Sequence, residues 1–219
     1  LAVLTAVAAS LSFLPASQLA VQAVNYLITR LLPPRLLPKM SFEKEGIPDE
    51  FRTLVVVPMM LNNLRTVREE IEKLGIRYLA NPDANLLFSL FSDYTGADTV
   101  HAGGDAELLK AAVDGMRALN ERYGANRFLL FHRDRVWTES EQSFIGWERK
   151  RGKLEILNRL LNGEAHPDGQ EIVHVGDPDL LGNVRFVITL DSDTQLLRDT
   201  ARRMIETIAH PLNRPPFDP

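Results

Sequence analysis

The apolar positions of this chain switch between two periods. Thr53-Leu54-Val55-Val56-Val57-Pro58 is a near-continuous apolar run, as expected of a strand buried on both faces of a parallel sheet. Val67, Ile71 and Leu74 then recur at helical spacing, with Gly75 as the expected stop. Leu86 to Phe91 reads as a second strand that ends at Ser92-Asp93. Asp105 to Tyr123 carries Leu109, Val113, Met116 and Leu119 on one helical face, and Gly124 closes it. Phe128 to Phe131 reads as a third strand, and Lys153 to Leu161 as a helix with Leu154, Leu157 and Leu161 aligned. Residues 163–183 are polar and rich in Gly, Pro and Asp, with a short strand expected at Ile172 to Val175. Arg185 to Leu190 is the next strand. A helix follows, with Leu197, Ala201, Met204, Ile205 and Ile208 at helical spacing. Strands alternating with helices predict an α/β fold: a parallel or mostly parallel sheet with helices on both faces.

The amino-terminal part is different. Residues 1–14 are nearly all apolar or small, and Pro15 is expected to break the run. Fourteen residues fall short of the about 20 that a membrane span needs, so we expect the tail of a span rather than a whole one. A secretory signal fits less well, because no basic region comes first. Leu19, Val21, Ala23, Val24, Leu27, Ile28, Leu31 and Leu32 form a second apolar helical pattern, suited to a membrane interface or to packing on the protein. Pro33, Pro34 and Pro38 end it. With Arg30, Arg35 and Lys39 they form a stiff basic connector, which suits the cytoplasmic side of a membrane or a solvated linker. We therefore expect an apolar, membrane-associated helical segment with its connector over 1–40, and a separate α/β domain over 41–219. The chain opens at Leu1 inside an apolar run and closes in Pro-Pro-Phe-Asp-Pro, so a piece of a longer protein is expected.

Composition narrows the chemistry. A net charge of −4 provides no basic field for nucleic acid. With no cysteine there is neither a disulfide nor a thiolate metal site. The five histidines show no metal-ligand spacing.

Two carboxylates remain, Asp191 and Asp193, at the carboxyl end of the last strand. Ligands of parallel α/β sheets bind at that end. Two hard oxygen ligands two residues apart suit a divalent cation that also holds substrate phosphates. By itself the Asp-x-Asp motif is equally an acidic turn that caps the next helix. It does not match an aspartyl phosphatase, because the fifth residue is Gln195, nor an EF-hand, because Leu196 and Leu197 stand where other residues are needed. The segment Gly146-Trp147-Glu148-Arg149-Lys150-Arg151-Gly152-Lys153 opens a helix and is dense in cations. Taken alone it is a solvated basic turn. At a helix amino terminus it is also a diphosphate cradle, in which Gly152 lets backbone approach a phosphate.

The order strand–Pro58, strand–Asp93, basic helix start, strand–Asp-x-Asp resembles the glycosyltransferase A fold of processive, membrane-bound glycosyltransferases. Longer strings resemble one branch, the cyclic β-1,2-glucan synthases. They are Phe13 to Ala20, Arg52 to Pro58, Arg77-Tyr78-Leu79-Ala80-Asn81-Pro82, Gly146 to Glu155, Ile188 to Thr194 and Ala209 to Pro215. Asn158 lies later than the Lys-x-Gly-x-Leu-Asn pattern of such transferases would place it. The resemblance implies a UDP-glucose donor and a growing β-1,2-glucan chain as acceptor. It implies Mg2+ or Mn2+ on Asp191 and Asp193, and nucleotide contacts at Pro58, Asp93, Arg149, Gly152, Lys153 and Asp191. It also implies a bacterial inner-membrane location with the catalytic domain on the cytoplasmic side, and a larger polypeptide that carries a phosphorylase-like domain. The catalytic base of such transferases follows the Asp-x-Asp strand, so it is expected beyond residue 219, and this fragment alone is expected to be inactive. Two alternatives stay open: another nucleotide-sugar transferase or nucleotidyltransferase on the same fold, or a catalytically inactive nucleotide-binding module.

Overall fold

The computed structural model describes residues 2–32, 36–164 and 169–213, with side chains from Leu11 onward, Leu14 excepted. The chain divides into two compact units, Leu1–Pro38 and Lys39–Pro219.

The first unit is one helix, α1, over Ala2–Leu31. The expected break at Pro15 does not occur, and Pro15 lies inside the helix. An interior proline removes one backbone hydrogen bond and costs about 3 kcal/mol. Here that cost is set against long Ala- and Leu-rich stretches on both sides. Leu19, Val24, Leu27, Ile28 and Leu31 are exposed. Among the described residues, no helix is long and apolar enough to cross a membrane. Ser10, Ser12, Ser17, Gln18, Gln22 and Asn25 dilute the apolar run. The connector residues Pro33, Pro34 and Arg35 lie outside the described residues.

The second unit is a three-layer α/β structure. Its strands are β1 (Thr53–Leu61), β2 (Leu86–Tyr94), β3 (Phe128–Arg133), the short hairpin β4 (Val136–Thr138) and β5 (Ser143–Ile145), β6 (Val173–Val175) and β7 (Phe186–Thr189). The main sheet has the order β6-β3-β2-β1-β7. All its neighbours run parallel except β6, which pairs antiparallel with β3 at the edge. Its helices are α2 (Leu64–Ala80), α3 (Asp105–Tyr123), α4 (Arg149–Leu161) and α5 (Thr200–Ile208).

Strand periodicity sorts the core into two layers. Val55, Val57, Leu86, Phe88, Leu90, Phe128 and Leu130 meet Val67 and Leu74 of α2, Met116 of α3 and Ile205 of α5. Leu54, Val56, Leu87, Phe91, Leu129 and Phe131 meet Ile156 and Leu157 of α4, with Leu181 of a 3-10 turn at Pro178–Asn183. Burial on both faces explains why β1 and β2 read as continuous apolar runs.

Several elements differ from expectation. Gly75 does not end α2, which continues to Ala80. A Cβ at Gly75 would sit 3.3 Å from Leu119, so the glycine marks where α2 and α3 cross closely. β2 runs on through Asp93, which is a strand residue and not a turn residue. α4 starts at Arg149, so the basic residues are its first turn. Leu197 lies in the loop before α5, exposed.

Candidate functional site

In this sheet the chain reverses its direction of growth at β1: β2 is added on one side and β7 on the other. The carboxyl ends of β1 and β7 therefore flank the switch point, where parallel α/β sheets bind ligands. The pairing of β7 with β1 reaches Thr189 opposite Val56, and the Leu190 amide donates to the Val56 carbonyl at 3.0 Å. Pro58 turns the same backbone edge toward β7, but lies two residues past that last pair. Its missing N–H therefore costs no ladder bond.

Asp93 lies opposite Met60 in β1 and Arg133 in β3. It is 2% exposed and fully engaged. Arg133 Nη2 donates to Asp93 Oδ2 at 3.0 Å, and Lys153 Nζ donates to Asp93 Oδ1 at 2.6 Å. Lys153 Nζ also donates to the Met59 carbonyl at 2.7 Å, and Arg133 Nη2 to the Arg149 carbonyl at 2.7 Å. One carboxylate and two cations are thus buried together, knotting β1, β2, β3 and α4. Burial pushes the Lys153 ammonium below its ordinary pKa, while Asp93 beside it pulls the other way.

Glycines make the knot possible. A Cβ at Gly146 would lie 2.3 Å from Asp93 Oδ2. A Cβ at Gly152 would lie 2.0 Å from the Trp147 carbonyl and 2.7 Å from Arg133 Nη1. Between them Glu148 and Arg149 both adopt left-handed backbone, with φ of 50° and 43°. Such residues store strain of about 1–3 kcal/mol each. This conformation accompanies the turn of the Arg149 carbonyl onto buried Arg133.

Beside the knot lies a cleft of about 430 Å³. Met60, Asp93, Gly96, Asp98, Gly146 and Arg149 are among its walls, and β5 closes one side with Ser143 and Ile145. Asp191 and Asp193 are both exposed on the loop after β7. Asp191 pairs with Lys150 of α4. Asp193 borders a second groove of about 570 Å³, with Lys73, Arg77 and Arg198. Thus Asp93, Arg149, Gly152 and Lys153 form one group, Asp191 joins it through Lys150, and Asp193 faces the α2 side of the same loop.

Among the described residues, no group of three or more His, Asp or Glu side chains is arranged to hold a metal ion. Mg2+ and Mn2+ need less than that, since one or two carboxylates suffice when waters and phosphate oxygens complete the shell. Asp191 and Asp193 are exposed oxygen ligands on one turn, each able to supply one of the carboxylates such an ion needs, and Asp191 already holds a cation, the Lys150 ammonium.

His132 is not in this cleft. It is 2% exposed, bonded through Nδ1 to Ser92 Oγ at 2.9 Å, and packed edge-on against Tyr94. Burial first, then the nearby His174, lowers its pKa to about 3, so the ring is neutral. Sequence patterns did not mark Arg133, Arg77 or the β4–β5 hairpin. Arg133 sits in a charged run, His132-Arg133-Asp134-Arg135, that looks like a solvated turn.

No protein-family model matches the chain. It is 39% identical over 212 residues to the cyclic β-(1,2)-glucan synthase NdvB of Rhizobium meliloti (strain 1021). The match takes in 94% of this chain and 7% of that protein, so the chain spans a small fraction of its relative's length. Identity at that level along nearly the whole chain shows that it belongs to the cyclic β-(1,2)-glucan synthase family, as a homologue of one segment of those proteins.

Proposed function

We propose that this chain is the donor-binding part of a membrane-associated, metal-dependent glucosyltransferase that takes UDP-glucose and extends β-1,2-glucan. The observation that carries the reading is the Asp191–Asp193 turn at the switch point, beside a cleft walled by Asp93 and Arg149. The nucleoside occupies the cleft, against Met60, Asp93 and Gly96. Its diphosphate leaves toward Arg149 and Lys150 at the first turn of α4, where cations and a helix amino terminus favour anions. Asp191 and Asp193 hold Mg2+ or Mn2+, which when bound supplies positive charge opposite the diphosphate leaving group. The buried Asp93–Arg133–Lys153 knot keeps the strand ends and α4 at fixed separations, so the cleft is formed before the donor arrives. We assign no catalytic base. The acceptor is the growing β-1,2-glucan chain. An inner-membrane location, with this domain on the cytoplasmic side, is supported by the apolar start of the chain, where no Asp or Glu precedes Glu43.

Calorimetric titration of the protein with UDP-glucose, other UDP-sugars and nucleoside triphosphates tests the reading, with and without Mn2+. UDP-glucose is expected to bind in a metal-dependent way, and Asp193→Asn is expected to abolish that dependence without lowering the melting temperature, because Asp193 is exposed. Preference for a triphosphate would point to nucleotidyl transfer. Absence of any nucleotide binding would leave an inactive module.

A further inference from the structure

The turn that presents the two carboxylates has no regular structure of its own. The Thr194 amide donates to the Asp191 carbonyl at 2.9 Å, closing one tight turn; Lys150 of α4 pairs with the Asp191 side chain, and the backbone carbonyls of Ser192 and Thr194 are held from α2. Arg77 Nη2 donates to the Ser192 carbonyl at 2.9 Å and to the Thr194 carbonyl at 3.0 Å, and Arg77 Nε reaches the Thr194 carbonyl at 3.3 Å. The guanidinium therefore grips the backbone on both sides of Asp193. One turn later, at the residue that caps α2, Asn81 Nδ2 donates to the Leu196 carbonyl at 3.3 Å, and Asn81 Oδ1 accepts from the Ala201 amide at 3.0 Å.

The two anchors differ in what they cost. Asn81 holds the far end of the loop with a neutral amide. Arg77 holds the acidic end with a full charge that is 4% exposed, and burying a charge is expensive. The guanidinium stays charged at any working pH. Among the described residues the acidic side chain paired with it is Glu70, which comes no closer than 3.9 Å and is also paired with Lys73 at 2.6 Å.

We propose that Arg77 is a positioning residue for the Asp191–Asp193 pair. Its Nη2 donates to both the Ser192 and Thr194 carbonyls, Nε adds a second bond to Thr194, and together they fix the turn on which both carboxylates are presented. Lysine, a point charge with one nitrogen, cannot reproduce the second bond, from Nε to the Thr194 carbonyl, that fixes the plane of the guanidinium. The proposal rests on the reading of those carboxylates as ligands for metal and diphosphate.

The test compares Arg77→Lys, Arg77→Gln and Asp193→Asn in the full protein. Three quantities are read: Mn2+-dependent UDP affinity by calorimetry, metal-free uridine affinity, and amide hydrogen exchange over residues 192–197. Lys73 still pairs with Glu70 in both Arg77 variants, so neither strands a buried carboxylate. Partners that orient metal ligands typically contribute roughly 10- to 100-fold to metal affinity. Arg77→Gln is therefore expected to weaken Mn2+-dependent UDP binding by about that factor and to speed exchange at 192–197, with uridine affinity unchanged. Arg77→Lys is expected to recover only part of the loss. Wild-type Mn2+-dependent UDP affinity in both Arg77 variants, with Asp193→Asn defective, overturns the proposal. Equal losses for UDP and uridine also overturn it, since they mark a merely structural role. Unchanged UDP affinity in Asp193→Asn instead defeats the metal-ligand reading, and this proposal with it.

Discussion

The buried charges rank the consequences of single substitutions. Asp93 balances two cations, so Asp93→Ala leaves Lys153 and Arg133 buried without a counter-charge. Removing one partner of a buried pair costs about 3–5 kcal/mol. Lys153→Met leaves the neutral pair Asp93–Arg133 and replaces the lysine stem with a similar apolar chain. It is therefore expected to cost less than Asp93→Ala in urea unfolding, and the reverse order would show that the knot is not held by charge balance. His132 makes a separate, pH-dependent contribution. Its folded pKa is about 3, against an ordinary 6.5. The unfolded chain therefore takes up the proton first as the pH falls. Stability from this group is full above about pH 6.5 and is lost as the pH falls toward 3. At pH 5 the loss amounts to about 2 kcal/mol. His132→Asn should flatten the slope of unfolding free energy between pH 7 and 5, and an unchanged slope would assign it to other groups. Asp191 and Asp193 were legible at this scale because a strand pattern runs straight into them. Arg77 and Arg133 were not. Their partners lie 115 and 40 residues away in the chain, and no local spacing encodes such pairings.

At the scale of elements, the first turn of α4 carries the closest packing in the site. Gly152→Ala would drive a Cβ to 2.0 Å from the Trp147 carbonyl, which is backbone and cannot swing away. Overpacking of this kind costs about 1–3 kcal/mol, and occasionally more. Gly103, with nothing within 4 Å of its added Cβ, serves as the control and should tolerate alanine within about 0.5 kcal/mol. Equal melting temperatures for the two variants would show that α4 shifts freely. The long elements were readable: α3 begins and ends where its apolar face and Gly124 predicted, and β1 and β3 extend the predicted runs by two or three residues. The β4–β5 hairpin was not, because three-residue strands are too short to show alternation. Gly75 misled because a glycine that stops a helix and one that lets two helices touch look alike in sequence.

At the scale of the whole molecule, the two units invite separation. Residues 39–219 contain the complete sheet and both core layers, so this piece should unfold as one cooperative transition and keep its uridine affinity. Residues 1–38 carry the exposed apolar helix together with Arg30 and Arg35. The full chain should therefore sediment with vesicles containing anionic lipid, and the 39–219 piece should not. Sedimentation of both pieces would move the membrane contact into the α/β unit. The alternation of strand and helix was enough to read the mostly parallel sheet from sequence. The antiparallel direction of β6 was not readable, since a three-residue edge strand carries no directional signal.

The knot around Asp93 also sets an order of events in time. Its members are spread along the chain at Met59, Asp93, Arg133 and Lys153, and the last of them closes the knot. A ribosome must therefore release residues well past 153 before the sheet's carboxyl edge can be completed. A nascent chain that ends before Lys153 carries Asp93 and Arg133 without the lysine that ties Asp93 to Met59 and α4. On the proposed reading, donor affinity should appear abruptly, once Asp191 and Asp193 have followed the knot out, rather than grow strand by strand. A set of stalled nascent chains of increasing length would display that as a single step.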